Sequence, residues 1–339
     1  MIRSSLTLVL LALMGCTNDN DKPMDLEAQA ILDVKALTGA ELDALATAAA
    51  AIQTAAPAAD ADGWTSAETA GMEAAWVDAR VAYERVEGAI AVLFPDLDAA
   101  TDERYDGFIA EGPDEDLFDG DHVTGVHAIE RIVWADRHPA YVVAFESSLP
   151  DYTPAAFPAD AAQSAAFKND LCARLSVDAA DMRDQFAPLA LDSAAAFRGV
   201  IGSMAEQYEK VALASTGEDE SRYAQHTLGD MRANLSGGAD IYAAFTPWLV
   251  SLEGGEAVDA DIQAGFARVE AGYVAIAGDA IPEVPPDWNA DAPSEADLAT
   301  PYGQLFTLLS VEADPTIDGS LVARMTAAAD LLGIPQLPE

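Results

Sequence analysis

A histidine and a glutamate lie three residues apart in the apolar stretch from Asp121 to Trp134. If this stretch is helical, His127 and Glu130 are neighbours on one helix face, with Cβ atoms roughly 5–6 Å apart. An imidazole and a carboxylate at that spacing could bind one cation or share one proton. They could equally form an ordinary ion pair on a helix, so their chemistry depends on which other acids the fold brings to them.

Acidic residues recur at helical spacing upstream of this pair. Asp98, Asp102 and Asp106 are four residues apart, which predicts three carboxylates on one side of a short helix. Like charges repel in that arrangement, and the repulsion favours a counter-charge from a metal ion or from Arg104. An exposed acidic helix face is the alternative interpretation.

A predicted helix from Ala67 to Phe94 contributes two more acids, Glu84 and Glu87. We expect them to face the same interior cleft as the histidine–glutamate pair and at least one of the three aspartates. Carboxylates gathered in a low-dielectric space have raised pKa values unless a cation compensates them. That cation could be a metal ion, or it could be Arg80 or Arg85, in which case the cluster is a structural ion-pair network.

The composition predicts an all-α protein with an acidic surface. The 339 residues are 51% hydrophobic and only 7% aromatic, and alanine-rich segments outweigh the alternating β-branched runs that strands need. Lys and Arg number 17 against 58 Asp and Glu, which gives a net charge of −41. This charge repels phosphate backbones and argues against a nucleic-acid partner. It could attract metal cations, but a solvated acidic surface is the favoured explanation of the charge.

Residues 1–15 have the pattern of a secretion signal. The apolar run Leu6–Met14 follows a basic residue and is too short for an ordinary transmembrane helix. The sequence Leu13-Met-Gly-Cys16 resembles a bacterial lipobox, which implies cleavage before Cys16 and lipid anchoring through it. The alternative is a soluble secreted form with Cys16 unmodified. Residues 16–23 are polar and predict a flexible tether, so we expect the protein in the periplasm or at the cell surface of a bacterium.

Prolines and glycines divide the remaining chain. The segment Ser147–Pro158 contains three prolines and predicts the boundary between two helical bundles, one over residues 24–150 with the His/Glu motif and one over residues 151–339. Gly39 predicts a break in the first helical stretch, and Pro95 predicts the end of the helix that begins at Ala67.

Three motifs in order resemble the imelysin-like family. They are Trp76-x-Asp78-x-Arg80-x-x-Tyr83-Glu-Arg-Val-Glu87, the aspartate series, and Gly125-x-His127-x-x-Glu130. The downstream sequence Thr227-Leu-x-Asp230-x-x-x-Asn234-x-x-Gly237 is similar to the second half of the family, so the resemblance spans roughly residues 30–335. That family includes periplasmic iron-uptake lipoproteins and proteins once classed as metallopeptidases.

The resemblance implies two four-helix bundles with a metal site between helices. It implies one imidazole ligand and several acidic ones, with supporting residues around them; the ligands are His127, Glu130, Glu84, Glu87 and Asp102, and the supporting residues are Gly125, Arg80, Asp98 and Asp106. The implied ion is iron, with zinc or copper as alternatives, and the implied partner is an iron permease or an outer-membrane receptor. Val126, Ala128 and the acidic insertion Glu111–Asp121 depart from the iron-uptake members.

Three functions are compatible with these residues. The first is binding of iron or another divalent cation in metal uptake, which needs hard oxygen donors and one imidazole. The second is an extracytoplasmic interaction module without metal. The third is a metallopeptidase, but the helical His-Glu-x-x-His pattern is absent because Ile129-Glu-Arg-Ile-Val133 offers no second histidine. The sequence therefore favours a metal-binding protein over an enzyme.

Overall fold

The computed structural model describes residues 25–58, 60 and 63–337. The predicted signal peptide, the predicted lipidation at Cys16 and the predicted tether all fall outside these residues. Every regular element within them is helical, which confirms the all-α prediction. None of the described helices combines the length and the apolar character that crossing a bilayer requires.

The helices of the first part of the chain follow one another in the order α1 (Leu26–Ala55), α2 (Ser66–Glu84), α3 (Glu87–Leu93), α4 (Pro95–Asp102), α5 (Tyr105–Glu111), α6 (Gly125–Val133), α7 (Ala140–Glu146), α8 (Ala161–Ala166) and α9 (Cys172–Phe186). A π-helical turn, Phe167–Leu171, joins α8 to α9. The later helices are α10 (Ser193–Leu213), α11 (Thr227–Val250), α12 (Gly255–Val274), α13 (Glu295–Leu298), α14 (Pro301–Glu312) and α15 (Leu321–Leu332).

Two hydrophobic cores organise these helices. The first is built mainly from α1, α2, α6 and α9, and the second from α10, α11, α12, α14 and α15. Between helices α9 and α10 the chain passes from the first core to the second, from Phe186 to Leu191, although Ala30 and Val34 at the start of α1 also belong to the second core and Tyr223 belongs to the first. Helix α9 follows the proline-rich segment and still packs in the first core, so the boundary predicted at residue 150 does not coincide with the change of core. The four-helix-bundle form of each half stays a prediction.

Helix α1 is continuous through Gly39, so the predicted break there is wrong. Thr38 and Leu42 on either side are buried, and α1 packs along both α2 and α9. One glycine costs a helix about 1 kcal/mol relative to alanine, which is less than burial of such a face contributes.

The predicted single helix from Ala67 to Phe94 is two helices, because α2 ends at Glu84 and α3 begins at Glu87. Pro95 does end α3, but it also starts α4. It occupies the first helical position, where a backbone N–H would have no partner within the helix, so the missing N–H of proline costs nothing. Extended backbone at Glu103 and Arg104 then separates α4 from α5. Asp106 is therefore on a different helix from Asp98 and Asp102, and the prediction of three aspartates on one helix is wrong.

Glycines let the two halves of the molecule approach closely beside the break between α2 and α3. A Cβ at Gly88 would lie 2.3 Å from the Gly199 carbonyl oxygen of α10, and a Cβ at Gly237 of α11 would lie 2.1 Å from the Arg85 carbonyl oxygen. Larger residues would force these backbones apart. The close approach places the end of α2 and the start of α3 against the polar faces of α10 and α11.

Candidate metal centre

A buried network of charged side chains lies between the two cores. Its basic members are Arg80 of α2 and Lys210 of α10. Their acidic partners come from both halves of the chain and are Glu84, Glu87, Asp102, Glu220 and Asp230. Five carboxylates facing two fixed positive charges leave an excess of negative charge, which a low-dielectric interior tolerates only with further cations or protons.

Arg80 is fully buried and connects four of these acids. One guanidinium nitrogen, Nη1, donates to Asp102, and the other, Nη2, donates to Glu84 one helical turn later. Nη2 also lies 2.9 Å from Glu220 and 3.5 Å from Asp230. The planar, permanently charged guanidinium suits this role, because it can serve several carboxylates in fixed directions.

Lys210 gathers a second, overlapping set of acids. Its ammonium nitrogen lies 2.7 Å from Glu220, 2.9 Å from Glu84 and 3.1 Å from Glu87. The side-chain amide of Asn234 donates to both Glu84, at 3.3 Å, and Glu87. Glu220 thus binds both basic residues, Arg80 through Oε1 and Lys210 through Oε2.

His127 has one ring nitrogen bonded and the other free. Nδ1 lies 2.7 Å from Oε2 of Glu130, whose other oxygen accepts the backbone N–H groups of Tyr223 and Ala224 at 2.9 and 2.7 Å. The Nδ1–H group of the ring donates to the Glu130 carboxylate. Nε2 faces Oδ1 of Asp102, 3.4 Å away, and has no hydrogen-bond partner although the ring is buried, so it is the ring nitrogen at which a metal ion could take the place of a proton.

Gly125 fixes the position of this histidine. Its φ of 82° is one that residues with a side chain rarely adopt, and a Cβ there would lie 2.3 Å from the carbonyl oxygen of Thr101. The Thr124 hydroxyl donates to the Ala100 carbonyl at 3.1 Å, so the start of α6 is held against the end of α4. The glycine of the Gly-x-His-x-x-Glu motif therefore brings His127 beside Asp102.

Two groups of side chains have the geometry to hold a cation. Ligand atoms of Asp102, His127 and Glu220 all lie within 4.8 Å of one another, and so do those of Glu84, Glu87 and Glu220. Asp102 and Glu220 also line a cleft of about 340 Å³ whose other acidic lining residues are Asp98, Glu103, Glu206 and Glu209. A cation in this acidic cleft can therefore approach the first group at Asp102, whose side chain is 16% exposed.

The structure brings most of the sequence-predicted residues into this network, but in different roles. Glu130 lies outside both ligand groups and instead orients His127. Asp98 accepts from the Tyr83 hydroxyl at the cleft, whereas Asp106 pairs with Arg222 at 2.5 Å outside both groups. Asp98 and Asp102 line the cleft, whereas His127, Glu130, Glu84 and Glu87 are buried and do not line it.

Arg85 is not part of the network. Its guanidinium pairs with Glu41 at 2.6 Å and with Asp240 at 2.7 Å on the partly exposed side of α2. Of Arg80 and Arg85, it is Arg80 that has the position of an internal counter-charge for Glu84.

Sequence reasoning missed the residues that the second half of the chain contributes. Asp230 and Asn234 belong to the downstream motif that resembles the imelysin-like family, and that motif was the available signal for them. Lys210 lies in an ordinary helical stretch, and Glu220 lies between α10 and α11 with no periodic pattern around it. Only the packing of the two halves identifies these last two.

Burial and neighbouring charges shift the pKa values of the network in both directions. Burial raises the pKa of Glu84 well above its ordinary value and that of Glu87 to about 8, although Lys210 opposes both shifts. Burial alone would lower the pKa of His127, but its carboxylate neighbours Asp102 and Glu130 raise it to about 9. Burial also opposes ionisation of Glu220, yet Lys210 and Arg80 hold the pKa of that carboxyl below its ordinary value.

The metal-free protein is expected to lose stability as the pH rises from 6.5 to 9. The folded-state pKa values of His127, about 9, and Glu87, about 8, exceed their ordinary values of 6.5 and 4.5, so the folded state binds more protons in this window. Each extra proton contributes about 1.4 kcal/mol per pH unit, so the free energy of unfolding should fall by roughly 1–2 kcal/mol per pH unit. Urea unfolding in chelator-containing buffers measures it, with a Glu87→Gln variant expected to show a shallower slope. A free energy that stays constant or rises over this range would contradict the pKa directions.

These features define a class: an all-helical protein with a buried carboxylate–histidine cluster between two cores that could hold a metal ion. A family model described as Imelysin matches residues 39–311, and the chain belongs to the imelysin family. No curated protein matches the chain.

Proposed function

We propose that this protein binds one divalent or ferric cation through Asp102, His127 and Glu220, as a step in metal uptake outside the cytoplasm. The observation that carries the proposal is the buried Nε2 of His127, which faces Asp102 and has no hydrogen-bond partner. An unsatisfied buried polar atom costs about 1–3 kcal/mol. A cation bound to this nitrogen removes that cost and offsets the excess carboxylate charge around it.

The donor set fits iron. One imidazole and two carboxylates suit ferrous iron, and zinc accepts the same ligands, whereas copper has no distinguishing sulfur ligand in either group. Glu130 has the role of an outer residue that fixes the imidazole ring and its tautomer. The partly exposed edge of Asp102 leaves the ion accessible from the cleft.

Lipid anchoring and transport remain part of the proposal. The lipobox-like sequence that ends at Cys16 supports anchoring outside the cytoplasm, and membership of the imelysin family supports a role in iron uptake with a permease or an outer-membrane receptor as partner.

Two alternatives are addressed by particular residues. The pairing of Arg80 and Lys210 with all five acids favours a purely structural ion-pair network, which would suit an interaction module without metal. A peptidase would need more ligands than the first group has. The other histidines lie outside both groups, since His122 and His138 bond backbone carbonyls at 2.9 and 2.8 Å and His226 is 3.9 Å from Asp230.

Calorimetric titration of metal-free protein with ferrous, zinc and manganous ions tests the proposal. We expect Asp102→Asn to lower the affinity at least tenfold, or about 1.4 kcal/mol, because it removes a charged ligand. Asp98→Asn is the matched control, since Asp98 lies on the same helix and lines the same cleft but belongs to neither ligand group. Equal affinities for the two variants, or no binding by the unmodified protein, would favour the structural network.

A further inference from the structure

We propose that Lys210 is a tethered cation filling a second cation site, formed by Glu84, Glu87 and Glu220, from which a multivalent metal ion can displace it. The inference extends the proposed metal-binding function, because Glu220 belongs to both sites. It assigns the second site to hard cations with oxygen ligands, such as manganous, magnesium or ferric ions.

The geometry around the ammonium group is that of an occupied cation site. Its nitrogen lies 2.7–3.1 Å from carboxylate oxygens of three residues, and those three carboxylates approach one another within 4.8 Å. All three are more than nine-tenths buried. One positive charge therefore holds three buried carboxylates together, with help from Arg80 and the Asn234 amide at their edges.

The unpartnered nitrogen of His127 lies on the other side of the shared acid. Oε2 of Glu220 contacts Lys210, and a carboxylate oxygen of Glu220 also lies within 4.8 Å of a ring nitrogen of His127. A metal ion at His127 competes with Lys210 for this carboxylate. The first site can therefore bind its ion fully only if Glu220 is shared or the ammonium group moves.

The neighbouring cleft offers the ammonium group of Lys210 an alternative position. It lines the cleft of about 340 Å³, where Glu206 and Glu209 of its own helix are also lining residues. Glu206 precedes Lys210 by four positions, the favourable arrangement for an ion pair along a helix. The flexible four-carbon stem of lysine lets the ammonium group move into the cleft without moving α10.

A tethered ammonium group makes the site selective for charge. A monovalent ion entering from solution would replace one positive charge by another of the same size. It would lack the covalent attachment that keeps the ammonium group of Lys210 beside the three carboxylates. A divalent or trivalent ion adds net positive charge among three carboxylates, so its attraction to them is two or three times as large at the same distance. Lys210 would thus exclude sodium and potassium while admitting multivalent ions.

Lys210→Met tests the proposal, with Mn²⁺ as the probe. In chelator the variant should melt at a lower temperature than the unmodified protein, because three carboxylates lose their shared cation. Adding Mn²⁺ should restore the melting temperature. At Mn²⁺ concentrations too low to displace Lys210 from the unmodified protein, electron paramagnetic resonance should count one more bound Mn²⁺ per chain in the variant. Lys35→Met is the control: Lys35 donates to the carbonyls of Phe186, at 2.7 Å, and Leu189, so its loss should leave the count unchanged.

The double variant Lys210→Met/His127→Ala separates this inference from the proposed function. If the second site exists, the double variant should still bind one Mn²⁺ per chain. A count of zero in the double variant would overturn the inference. Binding by the unmodified protein would then still support the first site. A second measurement needs no variant. Acetylation of Lys210 in the unmodified protein, followed by mass spectrometry, should become faster as Mn²⁺ is added, and an unchanged rate at saturating Mn²⁺ would also overturn the displacement.

Discussion

Replacing Arg80 by methionine is expected to lower the free energy of unfolding by about 3–5 kcal/mol. Arg80 is fully buried and pairs with Glu84, Asp102, Glu220 and Asp230. The variant would leave Glu84 and Glu220 with Lys210 as their remaining basic partner and would remove the arginine partner of Asp102 and Asp230. Breaking a buried ion pair by removing one partner is costly, because the remaining charge stays desolvated. The variant protein should be partly unfolded or should require a bound metal ion to fold.

Urea unfolding in the presence of chelator measures this effect, and Arg85→Met provides the matched control. Arg85 occupies the cap of the same helix and pairs with Glu41 and Asp240, but its side chain is 22% exposed. Exposed ion pairs contribute roughly 0–1 kcal/mol, so this variant should remain close to the unmodified protein in stability. If the two arginine variants lose the same stability, the network between the cores has no special role in holding the fold together.

Replacing His127 by alanine is expected to lower the affinity for ferrous iron at least 100-fold, or about 2.7 kcal/mol. The change removes the nitrogen ligand and leaves Glu130 without the ring that it orients. Glu130→Gln should have a smaller effect, a loss of about 10–100-fold, because it alters only the hydrogen bond behind the ligand. Since the pKa of His127 is raised to about 9, protons compete with the ion, and affinity should fall as the pH is lowered below that value.

Calorimetry from pH 6.5 to 9 measures both effects. His138→Ala is the control, because His138 lies in the same half of the chain but bonds the Arg131 carbonyl at 2.8 Å and belongs to neither ligand group. The affinity of the His138→Ala variant should match that of the unmodified protein at every pH. In the His127→Ala variant, the affinity should depend less steeply on pH. Unchanged affinity in the His127 variant would rule out this histidine as a ligand.

Helical spacing predicted the parts of the site that depend on one helix. His127 and Glu130 are neighbours because residues three apart share a face of α6, and Arg80 and Glu84 meet one turn apart on α2. The excess of helical patterns over strand patterns likewise predicted the fold class. These features follow from local geometry, which the order of residues determines directly.

The remaining features depend on contacts between distant segments. Glu220 and Lys210 reach the site only because α10 and the chain after it pack against α2 and α3, and nothing in their local sequence indicates this. Asp106 was misplaced because extended residues at Glu103 and Arg104 end α4, although the spacing of four continues through them. Gly125 was part of the recognised motif, but the reason for a glycine is its contact with Thr101 in another helix.

X-ray absorption at the iron edge tests the central claim most directly. The protein is loaded anaerobically with one equivalent of ferrous iron and compared with the His127→Ala variant under the same conditions. We predict a first shell of oxygen atoms with one nitrogen, together with the outer-shell scattering of a single imidazole ring that is missing from the variant. A spectrum of the unmodified protein without imidazole scattering, or one that the His127→Ala change leaves unaltered, would contradict the assignment of this centre.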